Sequence, residues 1–106
     1  MIKTRFHFEL LADKHHEQLS KEMIMPFLVK KGDLFSIDLA LDGEVNLVAE
    51  NTPVFDLTLM SLSVSLGQWV EDSDENYSET LNAFKSAGWR TFEEEYDELY
   101  PEANTN

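Results

Sequence analysis

The first ten positions alternate without a break. Ile2, Thr4, Phe6, Phe8 and Leu10 fall on one side, and Lys3, Arg5, His7 and Glu9 on the other. That period of two predicts a strand buried on one face. Polar positions then dominate residues 12–22, ADKHHEQLSKE. They predict either a short helix capped by Asp13, with Leu19 and Met23 facing inward, or a long loop.

Two turns of the form x-x-Gly follow, in VKKGDL and LDGEV. A two-residue hairpin at Asp42-Gly43 would pair Leu41 with Glu44. It would then set Phe35, Ile37 and Leu39 on the face opposite Val45 and Leu47, because a one-residue slip inverts a strand. A three-residue loop, Leu41-Asp42-Gly43, with Gly43 left-handed, removes the conflict. It pairs Leu39 with Val45, Ile37 with Leu47 and Phe35 with Ala49. The same construction at Lys30-Lys31-Gly32 pairs Leu28 with Leu34, Phe27 with Phe35 and Met25 with Ile37. The expectation is an antiparallel meander with strands at 24–29, 33–40 and 44–50. Pro26, lacking an N–H, marks its strand as an edge or sits at a non-bonded position.

Residues 54–66 change phase. Phe55, Leu57 and Leu59 are odd-numbered; Met60, Leu62, Val64 and Leu66 are even. A bulge near 59–61 that bends a single strand accounts for the switch. Beyond Gly67 the period becomes helical. Ser73 is the expected N-cap, with Asp74 and Glu75 in the first turn. Tyr77, Leu81 and Phe84 form its apolar side, Lys85 lies in its last turn, and Gly88 is the C′ stop. Thr91-Phe92-Glu93-Glu94 fits a capping box, and Phe92, Tyr96 and Leu99 form a stripe expected to hold a second helix down. Pro101 ends it, and residues 102–106 are expected to fray.

These elements predict an α+β fold: a curled, barrel-like antiparallel meander of about five strands with two C-terminal helices over one face or end. The length of 106 residues and the lack of any repeat or linker predict a single domain, 1–106. A hydrophobic share of 42%, with 11% aromatic, is globular rather than disordered composition. Without cysteine there is no disulfide and no thiolate metal site. The longest apolar run, residues 23–29, is far too short to span a bilayer, and the charged N-terminus has no signal-peptide core. A soluble, cytoplasmic protein is expected, with no membrane partner.

Charge changes the picture most. The net charge is −13. Residues 1–50 contribute −3, and residues 51–106, with twelve acids against Lys85 and Arg90, contribute −10. Such a chain is repelled by phosphate backbones and attracted to basic surfaces. The stretch EEEYDELYPE concentrates the charge. Glu93–Asp97 and Glu94–Glu98 are like-charge pairs at i,i+4, each costing roughly 0.2–0.5 kcal/mol. An apolar stripe outweighs that cost, so the helix needs no function to exist. Nothing local favours five acids over a Glu/Lys mixture, however.

Other candidate chemistry is thin. Asp72, Asp74 and Asn76 open like a calcium loop, but Tyr77 stands where the loop needs Gly and Ala83 where it needs Glu. The adjacent His15 and His16 diverge on a helix or a strand alike. Nucleophile motifs, a phosphate-cradling Gly loop and zinc spacing are all missing, so no cofactor is expected. Lys30 and Lys31 form a small basic tip.

The leading expectation is a non-enzymatic acidic protein-binding module of the inhibitor, immunity or nucleic-acid-mimic type. It would engage a basic protein surface, including that of a nucleic-acid-binding protein, without touching nucleic acid itself. Its candidate surface is Asp72, Asp74, Glu75, Glu79, Trp89, Glu93, Glu94, Asp97, Glu98 and Tyr100. One alternative is a small-ligand or catalytic pocket in the curled sheet near His7 and the Phe6/Phe8 strand. Another is a homo-oligomer that pairs edge strands through residues 24–29.

Overall fold

The computed structural model describes residues 1–38 and 44–99, apart from five side chains beside those bounds. The strands are β1 (Ile2–Leu11), β2 (His16–Met25), β3 (Leu34–Asp38), β4 (Glu44–Val48), β5 (Val54–Asp56), β6 (Ser61–Val70) and β7 (Arg90–Thr91). The helices are α1 (Asp74–Ser86) and α2 (Phe92–Leu99). Five strands form one sheet in the order β5-β6-β1-β2-β7, and β3 pairs with β4 in a separate hairpin. The α+β class and the two C-terminal helices are as expected. The sheet itself is mixed and open rather than an antiparallel barrel. Its centre, β1, pairs antiparallel with β2 and parallel with β6, and its edges are the short β5 and β7.

Three departures from expectation concern the strands. Residues 12–22 are neither helix nor loop. From His16 onward they belong to β2, with Leu19 opposite Phe8 and Met23 opposite Thr4. Leu19 and Met23 do face inward, but Lys21 between them hides the alternation. The reversal is tight, closed by the Ala12 N–H donating to the His15 carbonyl at 2.9 Å.

The meander is also replaced. Residues 26–29 are not a strand: Phe27 and Leu28 are exposed and Val29 is buried. The turn at 30–33 forms nonetheless. Gly32 has a φ of 94°, and the Asp33 N–H donates to the Lys30 carbonyl at 3.0 Å, as in a type II turn. In the β3–β4 hairpin Phe35 faces Leu47 and Ile37 faces Val45. That register is two residues from the expected one, so each strand keeps its buried side. The loop expected at Leu41-Asp42-Gly43 lies outside the described residues.

Residues 54–66 are not one bulged strand. The phase switch is a full reversal, with β5 pairing antiparallel to β6 and Phe55 opposite Leu62. Asp56 makes the turn: its Oδ1 accepts from the N–H groups of Thr58 at 2.8 Å and Leu59 at 3.1 Å. An aspartate capping its own turn replaces the Gly or Pro that would have marked it. A bulge does occur in β6, further along. His7 lies beside Ser65 but Glu9 beside Gln68, and Gly67 there has a φ of 84°.

The helix signals are realised. Ser73 Oγ accepts from the Asn76 N–H at 3.1 Å, and Gly88 follows the C-cap with a φ of 97°. Thr91 Oγ1 accepts from the Glu94 N–H, and Glu94 Oε1 from the Thr91 N–H, each at 3.2 Å, which is the reciprocal capping box. The core lies on one side of the sheet. Phe8 packs on Phe84 of α1 at 4.7 Å and on Trp89 at 5.2 Å. Phe6 meets Phe35 of the hairpin edge-on at 5.0 Å. Thus α1 and the β3–β4 hairpin divide one face between them. Among the described residues no helix is long and apolar enough to cross a membrane.

Of the stripe expected to hold α2, two members point largely to solvent, and the Leu99 side chain lies outside the described residues. Phe92 is 61% exposed and Tyr96 43% exposed. What α2 turns inward is Glu95, onto the sheet face opposite the core, where its carboxylate bonds Arg5 and Ser20.

Candidate functional site

The candidate acids separate into groups. On α1, Glu75 and Glu79 are exposed one turn apart, on the side away from the buried Tyr77, Thr80 and Phe84. Asp72, exposed at the helix start, accepts from Asn76 Nδ2 at 2.7 Å. Asp74 lies 3.7 Å from His15 Nε2.

On α2, Glu94 serves the capping box and lies 3.3 Å from Lys85 Nζ, tying the end of α1 to the start of α2. The N–H of Thr91 is the main reason its carboxyl lies below the usual carboxylate range; bonds to Thr91 Oγ1 and Lys85 add to it, against a contribution from burial. Glu98 pairs with Arg90. Glu93 and Asp97 are exposed beside Phe92 and Tyr96, whose rings lie 6.3 Å apart. Trp89 corrects the expected list. It is 5% exposed, held between Phe8 and Phe84, and offers a partner no surface. Tyr100 lies outside the described residues.

The sheet face opposite the core holds Arg5, Ser20 and Glu95, which sequence reading missed, beside His7, which it named. Arg5 sits at its centre, bonded to Glu95, with Ser20 Oγ within 3.4 Å. Burial lowers the Arg5 pKa, and the carboxylates of Asp56 and Glu22 oppose that shift. His7, one position along the same face, places Nε2 3.2 Å from Ser63 Oγ. Burial depresses its pKa, and the Arg5 charge adds to the effect. The alternation of β1 already set Arg5 and His7 on one face. Glu95 had no such signal, because it sits amid four other acids.

Two hollows lie on opposite faces of the sheet, one beside His7 and Phe8 and one beside Phe6. Beside His7 is a polar groove of about 560 Å³, lined also by Glu9, Gln18, Glu50, Ser65 and Gln68. Beside Phe6 is a smaller apolar cavity of about 280 Å³, lined also by Met23, Phe35, Leu66 and Trp89, with Lys21 and Ser36. His15 and His16 turn to different partners: His15 stacks on Tyr77 at 5.1 Å and His16 lies 3.7 Å from Glu9. Among the described residues no three His, Cys, Asp or Glu side chains are placed to hold a metal ion. No protein-family model matches the chain, no curated protein matches its sequence, and no solved structure matches it.

Proposed function

We propose that the chain is a non-enzymatic acidic protein-binding module that docks on a basic surface of a partner protein through the outward side of α2. The observation that carries this reading is the exposed ring pair of Phe92 and Tyr96, set beside the exposed carboxylates of Glu93 and Asp97. Aromatic rings within a charged rim are the usual anchors of protein interfaces. Lysine or arginine on the partner answers both features, pairing with the carboxylates and stacking on the rings. The net charge of −13 steers such a partner from a distance, as in inhibitors, immunity-type proteins and nucleic-acid mimics. Glu94, Glu95 and Glu98 take no direct part, because they are committed to Lys85, Arg5 and Arg90. Glu75 and Glu79 add long-range charge.

The test is capture by the immobilised full chain with elution along a salt gradient, repeated with E93Q/D97N and with F92S/Y96S. All four side chains are exposed, so both variants keep the fold. The expected result is a basic protein held by the parent chain, released at moderate salt and lost from both variants. Equal retention by parent and variants would overturn the reading.

A further inference from the structure

We infer that the cavity between β2, β3 and the end of α1 binds a small monocarboxylate with an apolar body. This is independent of the α2 surface. Its walls are Phe6, Met23, Phe35, Leu66 and Trp89, three of them aromatic, and its volume is about 280 Å³. Small-ligand pockets are mostly apolar, with a few polar groups that fix orientation. Here the charged group is Lys21.

Lys21 is half-buried, unlike the exposed Lys14, Lys30 and Lys31. Lys3, Arg5, Lys85 and Arg90 each contact a glutamate. Among the described residues no carboxylate lies within ion-pair distance of Lys21. Its Nζ instead donates to the Ala87 carbonyl at 2.7 Å, at the end of α1. An ammonium has three donors, and this bond uses one. Gly88 lies against it: a Cβ there would be 3.4 Å from both Cε and Nζ of Lys21, in van der Waals contact. The ammonium is thereby tethered at the wall of an apolar cavity with donor capacity to spare.

The ligand chemistry follows from charge and shape. One ammonium balances one negative charge. A phosphate or dicarboxylate would bring a second charge against a protein of net charge −13, with no arginine lining the cavity. Apart from the Ser36 hydroxyl, the remaining side-chain walls are aromatic, aliphatic and thioether, so the body of the ligand is hydrocarbon or aromatic.

The experiment titrates the full-length chain with octanoate and, separately, with 1-octanol, and follows the Met23 methyl and the Trp89 indole N–H by NMR. The expected result is saturable shifts of both signals, with octanoate binding at least tenfold more tightly than the alcohol. Lys21→Met should bring octanoate down to the affinity of octanol while octanol binding persists, and Lys21→Arg should preserve the preference. Persisting octanol binding also reports that the Lys21→Met cavity is intact. Equal binding of acid and alcohol by the parent chain would overturn the inference. So would the absence of saturable shifts at Met23 and Trp89, or an undiminished preference in Lys21→Met.

Discussion

Glu95 of α2 closes on Arg5 of β1, ninety positions earlier in the chain, and the pair is shared with Ser20. Of the glutamates in the run 93–95, it alone is turned toward the sheet. The side chains of Arg5 and Glu95 are 16% and 19% exposed, which lies between a surface ion pair and a buried one. Surface pairs contribute about 0–1 kcal/mol, whereas breaking a buried pair costs about 3–5 kcal/mol.

Glu95→Ala should therefore cost about 2 kcal/mol, because it leaves the guanidinium half-desolvated without its bonded carboxylate. Glu93→Gln, on the exposed side of the same helix, should stay within about 0.5 kcal/mol. Urea unfolding of the two variants checks the contrast. Equal stabilities would show that Glu95 is as solvated as its neighbours.

Acid should weaken the fold in two stages. The folded-state pKa of His7 is depressed below its ordinary 6.5, so the unfolded chain takes up the proton first. The His7 contribution is complete above about pH 6.5 and is lost as pH falls through the folded value. The Glu94 carboxyl is likewise depressed, below an ordinary 4.5, so its contribution starts to fade only below that pH. Unfolding free energies measured from pH 8 down to about pH 2 should fall first with His7. His7→Gln should flatten the upper stage and leave the lower one, which Glu94→Gln should flatten instead. The Glu94 step should be small, since its side chain is 42% exposed and screened by solvent.

Gly67 and Gly32 separate steric crowding from backbone strain. Both have positive φ, 84° and 94°. A Cβ at Gly67 would lie 2.3 Å from Glu50 Oε1, whereas at Gly32 it would meet nothing within 4 Å. Glu50 is exposed and its carboxylate is the far end of a flexible side chain, so it can swing aside. Each Gly→Ala change should then cost about 1–2 kcal/mol, the backbone penalty alone. Thermal unfolding checks this. A much larger loss at Gly67, relieved by adding Glu50→Ala, would show that the carboxylate is held in place.

Local signals were legible wherever a short segment satisfied its own polar groups. The Ser73 cap, the left-handed Gly32 and Gly88, the Thr91–Glu94 box and the alternation of β1 all depend on neighbours within a few positions. Pattern reading failed where a distant partner decided the outcome. β2 is a strand because β1 lies beside it; its own alternation is broken by Lys21 and Ser20. The parallel pairing of β1 with β6 joins segments more than fifty residues apart, and no periodicity encodes which strand another will choose. The candidate surface divided in the same way. That the C-terminal half is strongly acidic is a property of composition. Which of them a cation holds is not, because Arg5, Lys85 and Arg90 reach Glu95, Glu94 and Glu98 only in the folded chain. The same applies to the rings: Trp89 is buried and Phe92 exposed because a side chain's burial is set by what packs over it. By itself the sequence determined the α+β class, the helix ends and the sign of the charge. The tertiary structure alone decided the strand order and which charges and rings remain at the surface, since both depend on contacts between positions far apart in the chain.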